Sequence, residues 1–351
     1  MLLTPEQRLA LKAIGSAPEI MNGKVSCEEQ FPDLYTESGL SYLKQKRLYG
    51  LGALGSGRTD RLLNIYQLAW RAQKAALAEA ITEFGRRGID LLVYKGAEIN
   101  ERYARSVAYT LRGDVDLIVR PDQANEAKQV LLSMGFLQAN YDTINRRLAA
   151  ITDERIAQLE GGGYALVSFA RLQDISLPDN AKLPEQESDL PIYVTEDGIQ
   201  LVITLDLATG LDRSISADAL FRESIASAHP FARTLRVETH LWYLCAMFYV
   251  QVNLYRDKHK LSQLSDLALL LGGGDALDWD EVVAKSRELD ILPSLYYPLA
   301  YLSALCTTPR IPETVLSMLQ PTAGSRARDY GWQIHKLLGH VEPLPYDMLP
   351  A

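Results

Sequence analysis

Apolar residues recur at three- and four-residue spacing towards both ends of the chain, and the period shortens to two in the middle. Thr4-Pro5-Glu6 has the form of a helix start, with Thr4 as cap, Pro5 in the first turn and Leu9 and Leu11 beyond. Pro32 and the glycine-rich stretch 50–57 predict breaks in an otherwise helical N-terminal region. From 68 to 84, Ala69, Ala72, Ala76, Ala80 and Phe84 fall on one helix face, and Gly88 stands where a left-handed stop is expected.

The period changes at 89–94, a short and nearly continuous apolar run ended by Lys95-Gly96, which predicts a buried strand. Residues 97–103 leave room for about two helical turns. The next strand is expected at 111–119. There Val115, Leu117 and Val119 share one face, while Asp114 and Asp116 share the other. Pro121-Asp122 opens a further helix carrying Ala127, Val130, Leu131 and Met134, and Gly135 ends it. The order helix, strand, helix, strand, helix predicts an α/β or α+β arrangement.

Beyond it the pattern is less regular. Gly161-Gly162-Gly163 marks a turn, 164–172 reads as a strand, and 178–191 reads as a polar loop bounded by prolines. Strands are expected at 192–194 and 199–207, joined by the hairpin signal Glu196-Asp197-Gly198, and the second carries Asp206 near its end. From about 217 onward the chain reads as helices. Leu241, Leu244, Cys245, Phe248 and Val252 form one apolar stripe, and Leu261, Leu264, Leu267, Ala268 and Leu271 form another, ended by Gly272-Gly273-Gly274. Asp278 caps the helix that follows. These shifts suggest an N-terminal helical region over 1–80, a core over 81–215 and a C-terminal helical domain over 216–351.

Composition adds limits rather than a function. A chain of 351 residues suggests about two domains. Its 47% hydrophobic and 23% charged content is that of an ordinary globular protein with a large core. A net charge of -8 argues against a broad nucleic-acid surface, yet it is compatible with a nucleotide, because sites for divalent cations are themselves acidic. Cys27, Cys245 and Cys306 form neither a CxxC pair nor a disulfide framework, and read as reduced residues, Cys245 in a core. His229, His240, His259, His335 and His340 form no HxH or HExxH pattern and are expected at the surface or at helix ends. The N-terminus lacks a signal-peptide pattern, and the most apolar window, 241–250, falls short of the about 20 residues that span a bilayer. The expectation is a cytoplasmic protein that does not enter membranes.

The chemistry suggested by the residues centres on Asp114 and Asp116. Carboxylates two residues apart on a strand have Cα atoms about 7 Å apart and can converge on one cation. With no cation they repel, by about 3 kcal/mol at roughly 6 Å and an effective dielectric near 20. A divalent ion reverses that sign, so the pair suits Mg²⁺, although a solvated strand face carries the same pattern. The apolar Leu117-Ile118-Val119 marks the strand as central and favours the first reading. Lys95-Gly96 ends the strand before it. Glycine at such a turn lets the backbone approach a phosphate and lysine supplies a point charge, although an exposed turn gives the same dipeptide. Asp206 is either a third metal ligand, as a two-metal site requires, or an edge-strand aspartate. No GxSxG or GxxxxGK[ST] signature is present.

The run Gly88-Ile89-Asp90-Leu91-Leu92-Val93-Tyr94-Lys95-Gly96-Ala97, then Leu111-Arg112-Gly113-Asp114-Val115-Asp116-Leu117-Ile118-Val119 and Gly135-Phe136, resembles the uncharacterised nucleotidyltransferase family of the DNA polymerase beta superfamily. Leu264-Ser265-Asp266-Leu267-Ala268 and Leu277-Asp278-Trp279-Asp280-Glu281-Val282-Val283 are similar to that family's helical C-terminal region. The resemblance implies an α+β fold, a polymerase-beta-like core of mixed sheet and helices, flanked by N- and C-terminal helical segments. It also implies transfer of a nucleoside monophosphate from an NTP, with Mg²⁺ (two ions), to a small-molecule, peptide or protein acceptor. Asp114 and Asp116 match the metal pair, Lys95 and Gly96 the phosphate-side turn, and Arg112 the arginine before the acidic strand. Asp206 matches the acidic residue of a later strand, where relatives often carry a following His-Trp. Here those positions are Ala208 and Thr209, and a histidine of the C-terminal helices is replaced within Phe248-Tyr249-Val250-Gln251. A binding or scaffold protein that kept the fold and lost turnover is therefore the alternative.

Overall fold

The structure is a computed structural model that describes residues 4–22, 36–56, 61–105, 107–110, 112–142, 144–176, 192–195, 198–212, 215–253, 261–305 and 311–321. The loop expected at 178–191, and Cys27, Cys306, His259, His335 and His340, lie outside the described residues.

Chain contacts define two compact units, one of Met1–Asp60, Tyr103–Thr110 and Val237–Ala351, the other of Arg61–Arg102 and Leu111–Arg236. The first is helical. It contains α1 (Pro5–Gly15), α2 (Ala17–Met21), α3 (Glu37–Gln45) and α4 (Tyr49–Gly55). Thr4 caps α1 as its sequence predicts. Its hydroxyl accepts from the Gln7 N–H at 3.3 Å, and the Gln7 side chain accepts from the Thr4 N–H at 2.9 Å.

The glycine-rich stretch expected to break this region instead forms α4. A Cβ on Gly52 would come within 2.5 Å of the Leu43 side chain, so glycine here permits close packing of α4 on α3. Leu241, Leu244, Cys245 and Phe248 are buried, and burial pushes the Cys245 thiol far up, as befits an inert core residue. Leu261, Leu264, Leu267 and Ala268 are buried likewise, and Asp278 caps its helix by accepting from the Glu281 N–H at 3.0 Å.

The second unit carries the sheet. The long helix α5 (Arg61–Arg86) leads into β1 (Leu92–Tyr94), α6 (Lys95–Tyr103), β2 (Val115–Ile118) and, after a short 3₁₀ turn, α7 (Ala124–Ser133). Gly88 and Gly135 adopt positive φ, +68° and +83°, just past the ends of α5 and α7, which is the stop their positions predict. There follow β3 (Leu137–Asp142), β4 (Arg147–Ala150), α8 (Asp153–Glu160), β5 (Phe169–Ser176), β6 (Ile192–Val194), β7 (Gly198–Ala208), α9 (Ala217–Glu223), β8 (Ile225–Ala226) and β9 (Arg233–Thr234).

Among the described residues the nine strands form one mixed sheet in the order β4-β3-β5-β7-β2-β1-β9-β8, with β6 also on β7. The pairs β2–β7 and β1–β9 are parallel and the others antiparallel. The fold is therefore α+β with a mixed sheet. β6 pairs with the first half of β7 (199–201), and β2 with its last four residues (205–208). α5 packs on β7 and on α7, which places it with the sheet and not with the N-terminal helices. All four residues of β2 are buried, as are Leu92, Val93 and Tyr94 of β1. Burying a side chain such as Leu117 or Ile118 contributes about 1.5–3 kcal/mol.

Three features depart from the sequence pattern here. The region from 217 onward opens with α9 and then holds the hairpin β8–β9 before its later helices, and 137–150 folds as the hairpin β3–β4. The strand expected at 164–172 is ordered as β5 only from Phe169, with Ala165 in an isolated bridge to Ala208.

Candidate active site

The register of the central strands brings the carboxylates together. In the parallel pair β2–β7, Asp116 lies directly opposite Asp206, and in the antiparallel pair β1–β2 it lies opposite Tyr94, the residue before Lys95. Neighbouring strands are about 4.8 Å apart, so residues in register project from one face as close neighbours. Asp114 precedes β2 and joins the pair from the same side. One oxygen from each of Asp114, Asp116 and Asp206 lies within 4.8 Å of the others. Asp116 is buried (7% exposed), Asp206 is half-buried and Asp114 is exposed.

Electrostatics follow from that geometry. Burial pushes the Asp116 carboxyl up to about 7; the Lys95 ammonium pulls it back, and the Asp114 charge pushes it further. Burial, then the Asp114 charge, raises Asp206 to about 6, against a hydrogen bond from Ser168 that lowers it. Asp116 and Asp206, desolvated beside each other and facing the Asp114 charge, thus favour protonation until a cation arrives. One Asp206 oxygen, Oδ1, is buried with no hydrogen-bond partner. An orphaned carboxylate oxygen within a set of hard oxygen donors fits a divalent cation such as Mg²⁺ or Mn²⁺.

Lys95 and Gly96 open α6. Lys95 has φ +53°, a left-handed conformation that a non-glycine residue adopts at a cost of order 1 kcal/mol. From there its ammonium reaches Asp116 Oδ1 at 2.5 Å and sits 5.3 Å from the centre of the Tyr94 ring. Arg112 lies against the same turn, for a Cβ on Gly96 would stand 2.8 Å from three atoms of its guanidinium group. The six residues singled out in the sequence therefore gather within one unit, around the ends of β1, β2 and β7.

Sequence reasoning missed several supporting groups. Gln73 on α5 donates from Nε2 to the Arg112 carbonyl at 2.9 Å. Its signal was available as a polar residue within the alanine stripe of that helix. The buried Glu98 of α6 accepts from Arg102 Nε at 2.7 Å, from the Ala228 N–H at 3.0 Å and from the Ser227 hydroxyl. It thereby ties the β8–β9 connection to the helix that carries Lys95 and Gly96. His229 and His240, expected at the surface or at helix ends, are both buried, His240 near the start of its helix. His229 Nε2 lies 3.3 Å from the Ala97 carbonyl, and burial lowers its pKa. At the positions after Asp206, Ala208 is buried and Thr209 hydrogen bonds the Tyr164 carbonyl through both its N–H and its hydroxyl, so neither supplies a group to the carboxylate cluster.

The mixed sheet and its acidic centre define a class, an α+β core of the nucleotidyltransferase kind. Residues 59–307 match the family described as uncharacterised nucleotidyltransferase; the match covers more than half of the chain, which belongs to that family. It is a transferase of nucleotidyl groups, with an acidic triad that could hold metal. No curated protein and no solved structure matches the chain. No helix among the described residues is long and apolar enough to cross a membrane.

Proposed function

We propose that the protein moves a nucleoside monophosphate from an NTP to an acceptor hydroxyl and releases pyrophosphate, with Mg²⁺ held by Asp114, Asp116 and Asp206. The observation that carries this reading is the convergence of those three carboxylates from two registered strands and the segment before one of them. Divalent cations held there supply charge neutralisation and Lewis acidity at the α-phosphate.

The chain's own groups do the rest. Lys95 and the Gly96 backbone N–H, at the start of α6, bind the β- and γ-phosphates, where the helix N-terminus also favours anions. Lys95, whose ammonium pairs with Asp116 Oδ1 at 2.5 Å, turns from that carboxylate to the phosphates. Arg112, seated on Gly96, adds a planar guanidinium on the same side. The acceptor oxygen forms the new bond to the α-phosphorus, the bond to the bridging oxygen of pyrophosphate breaks, and the acceptor proton passes to Asp206, the half-buried carboxylate of the cluster. The acceptor is a small molecule, a peptide or a protein side chain, in a cytoplasmic setting.

A second reading, nucleotide binding without turnover, draws on Ala208 and Thr209, which contribute to the fold and not to the site. One experiment separates them. The full chain is incubated with Mg²⁺, candidate acceptors and NTPs labelled, in separate reactions, at the α- or the γ-phosphate, followed by mass spectrometry. Label on an acceptor with equimolar pyrophosphate supports transfer. Nucleotide bound but unchanged supports the second reading, and label from the γ-phosphate on the product would overturn both.

A further inference from the structure

Asp114 differs from its two partners in how it is held. The ladder of β2 begins at Val115, whose partner is Leu205, and ends at Ile118, so Asp114 sits outside the strand pairing while Asp116 and Asp206 lie within it. Asp114 is also the exposed member of the triad, and a Cβ added to Gly113 before it would meet nothing within 4 Å. A segment of this kind samples several conformations unless something fixes it. Yet its carboxylate oxygen lies within 4.8 Å of the other two.

The fixing contact comes from α5. Gln73 is 1% exposed, an amide buried on a helix face whose neighbours at 69, 72, 76 and 77 are buried Ala, Ala, Ala and Leu. A buried amide on such a face is unfavourable unless it is hydrogen bonded, and Gln73 spends its Nε2 on the Arg112 carbonyl, two residues before Asp114. The next residue of α5, Lys74, pairs with Glu101 of α6 at 2.7 Å. Adjacent residues of α5 therefore grip both approaches to the site, the segment that delivers Asp114 and the helix that begins with Lys95-Gly96. The Arg112 guanidinium lies on Gly96, so residue 112 is held at its carbonyl by Gln73 and bears on the turn with its side chain.

We infer that Gln73 is a positioning residue for the metal site. Its hydrogen bond to the Arg112 carbonyl sets the path of residues 112–114 and so places Asp114 as a ligand. This rests on the metal-dependent reading of the triad, and it assigns a role in that site to a residue on a different element that touches none of the three carboxylates.

The test is a double-mutant cycle on the full chain, with Mn²⁺ affinity read by titration calorimetry. Gln73→Met keeps length and removes the donor. Outer-shell partners of metal ligands carry about 10- to 100-fold in affinity, so Gln73→Met should weaken Mn²⁺ binding at least about tenfold. In an Asp114→Asn background the same change should weaken it by less than about twofold, because the ligand that Gln73 positions is already gone. Equal losses in both backgrounds, or no loss in the first, overturn the inference; general destabilisation would weaken binding in both. If Gln73→Met fails to fold, Gln73→Leu replaces it, a smaller apolar side chain that likewise has no donor.

Hydrogen exchange of the peptide spanning 112–116, measured without metal, gives an independent readout. It should quicken in the Gln73 variant, and unchanged exchange there counts against the hold. Failure of the wild-type chain to bind Mn²⁺ would instead refute the metal reading, while the exchange measurement would still decide whether Gln73 fixes the segment.

Discussion

Two parts of one sheet treat polar residues in opposite ways. At its edge, β4 and the turn before it are mostly exposed, and Ile144 in that turn is 89% exposed. At its centre, β2 is buried on both faces and still carries Asp116. An exposed edge tolerates polar and apolar side chains almost alike, since water solvates either. A buried centre tolerates a carboxylate only against a desolvation penalty, relieved by a partner or a cation. The contrast locates function: the position where the sheet opposes its own packing is the position that has a ligand to gain.

The largest break in this contrast is Asp116→Asn. Loss of the central ligand should lower nucleotidyl transfer by at least ~10²-fold, measured as pyrophosphate release once an acceptor is known, with the fold retained by circular dichroism. Full activity in this variant would remove Asp116 from the mechanism.

Next in size is the pH dependence of metal stabilisation. Both Asp116 and Asp206 have folded-state pKa values raised from 3.8, to about 7 and about 6. The folded metal-free chain therefore holds more protons than the unfolded one across the window from about pH 4 to 7, and these groups make it less stable as pH rises through that window. A divalent cation favours the ionised form and reverses the trend. The rise in Tm on adding Mg²⁺ should be larger at pH 8 than at pH 5.5, as read by thermal denaturation. An equal rise at both values would argue that the cation binds elsewhere.

Gly96→Ala should have a smaller effect. The new methyl group would displace the Arg112 guanidinium, the mobile end of a long side chain, so stability should change by no more than about 1 kcal/mol. The KM for NTP should rise severalfold with kcat less affected, in steady-state kinetics, if Arg112 serves the phosphates from that seat. Smallest is Ile144→Ser at the sheet edge, which should leave both Tm and activity within error, a change under about 0.5 kcal/mol.

How much of this was legible in the sequence depended on burial. Asp114 and Asp116 could be placed because Val115 and Leu117 alternate with them, which puts both carboxylates on one face of the strand. Thr4, Gly88, Gly135 and Asp278 were legible for a local reason, since caps and left-handed stops depend on a few adjacent residues. The hairpin β3–β4 was not legible, because the edge strand β4 is largely exposed and imposes no alternation. β8 and β9 are two residues each, too short for any period.

The glycines of α4 misled because close packing on Leu43, and not chain flexibility, explains Gly52. In the site, the metal side could be read from spacing along one strand and a later aspartate. The hold exerted by Gln73 spans 39 residues of sequence, and the coupling of His229 to Ala97 spans 132; no local pattern encodes either.

The central claim is that Asp114, Asp116 and Asp206 hold the divalent cations of nucleotidyl transfer. The most direct test is a crystal of the full chain grown with Mn²⁺ and a non-hydrolysable NTP, with data collected for anomalous scattering. The account predicts a peak among the three carboxylates, roughly 2–2.5 Å from their oxygens, with the triphosphate beside Lys95 and Gly96. A triphosphate bound away from the Lys-Gly turn, or a cation site that excludes Asp116, would contradict it.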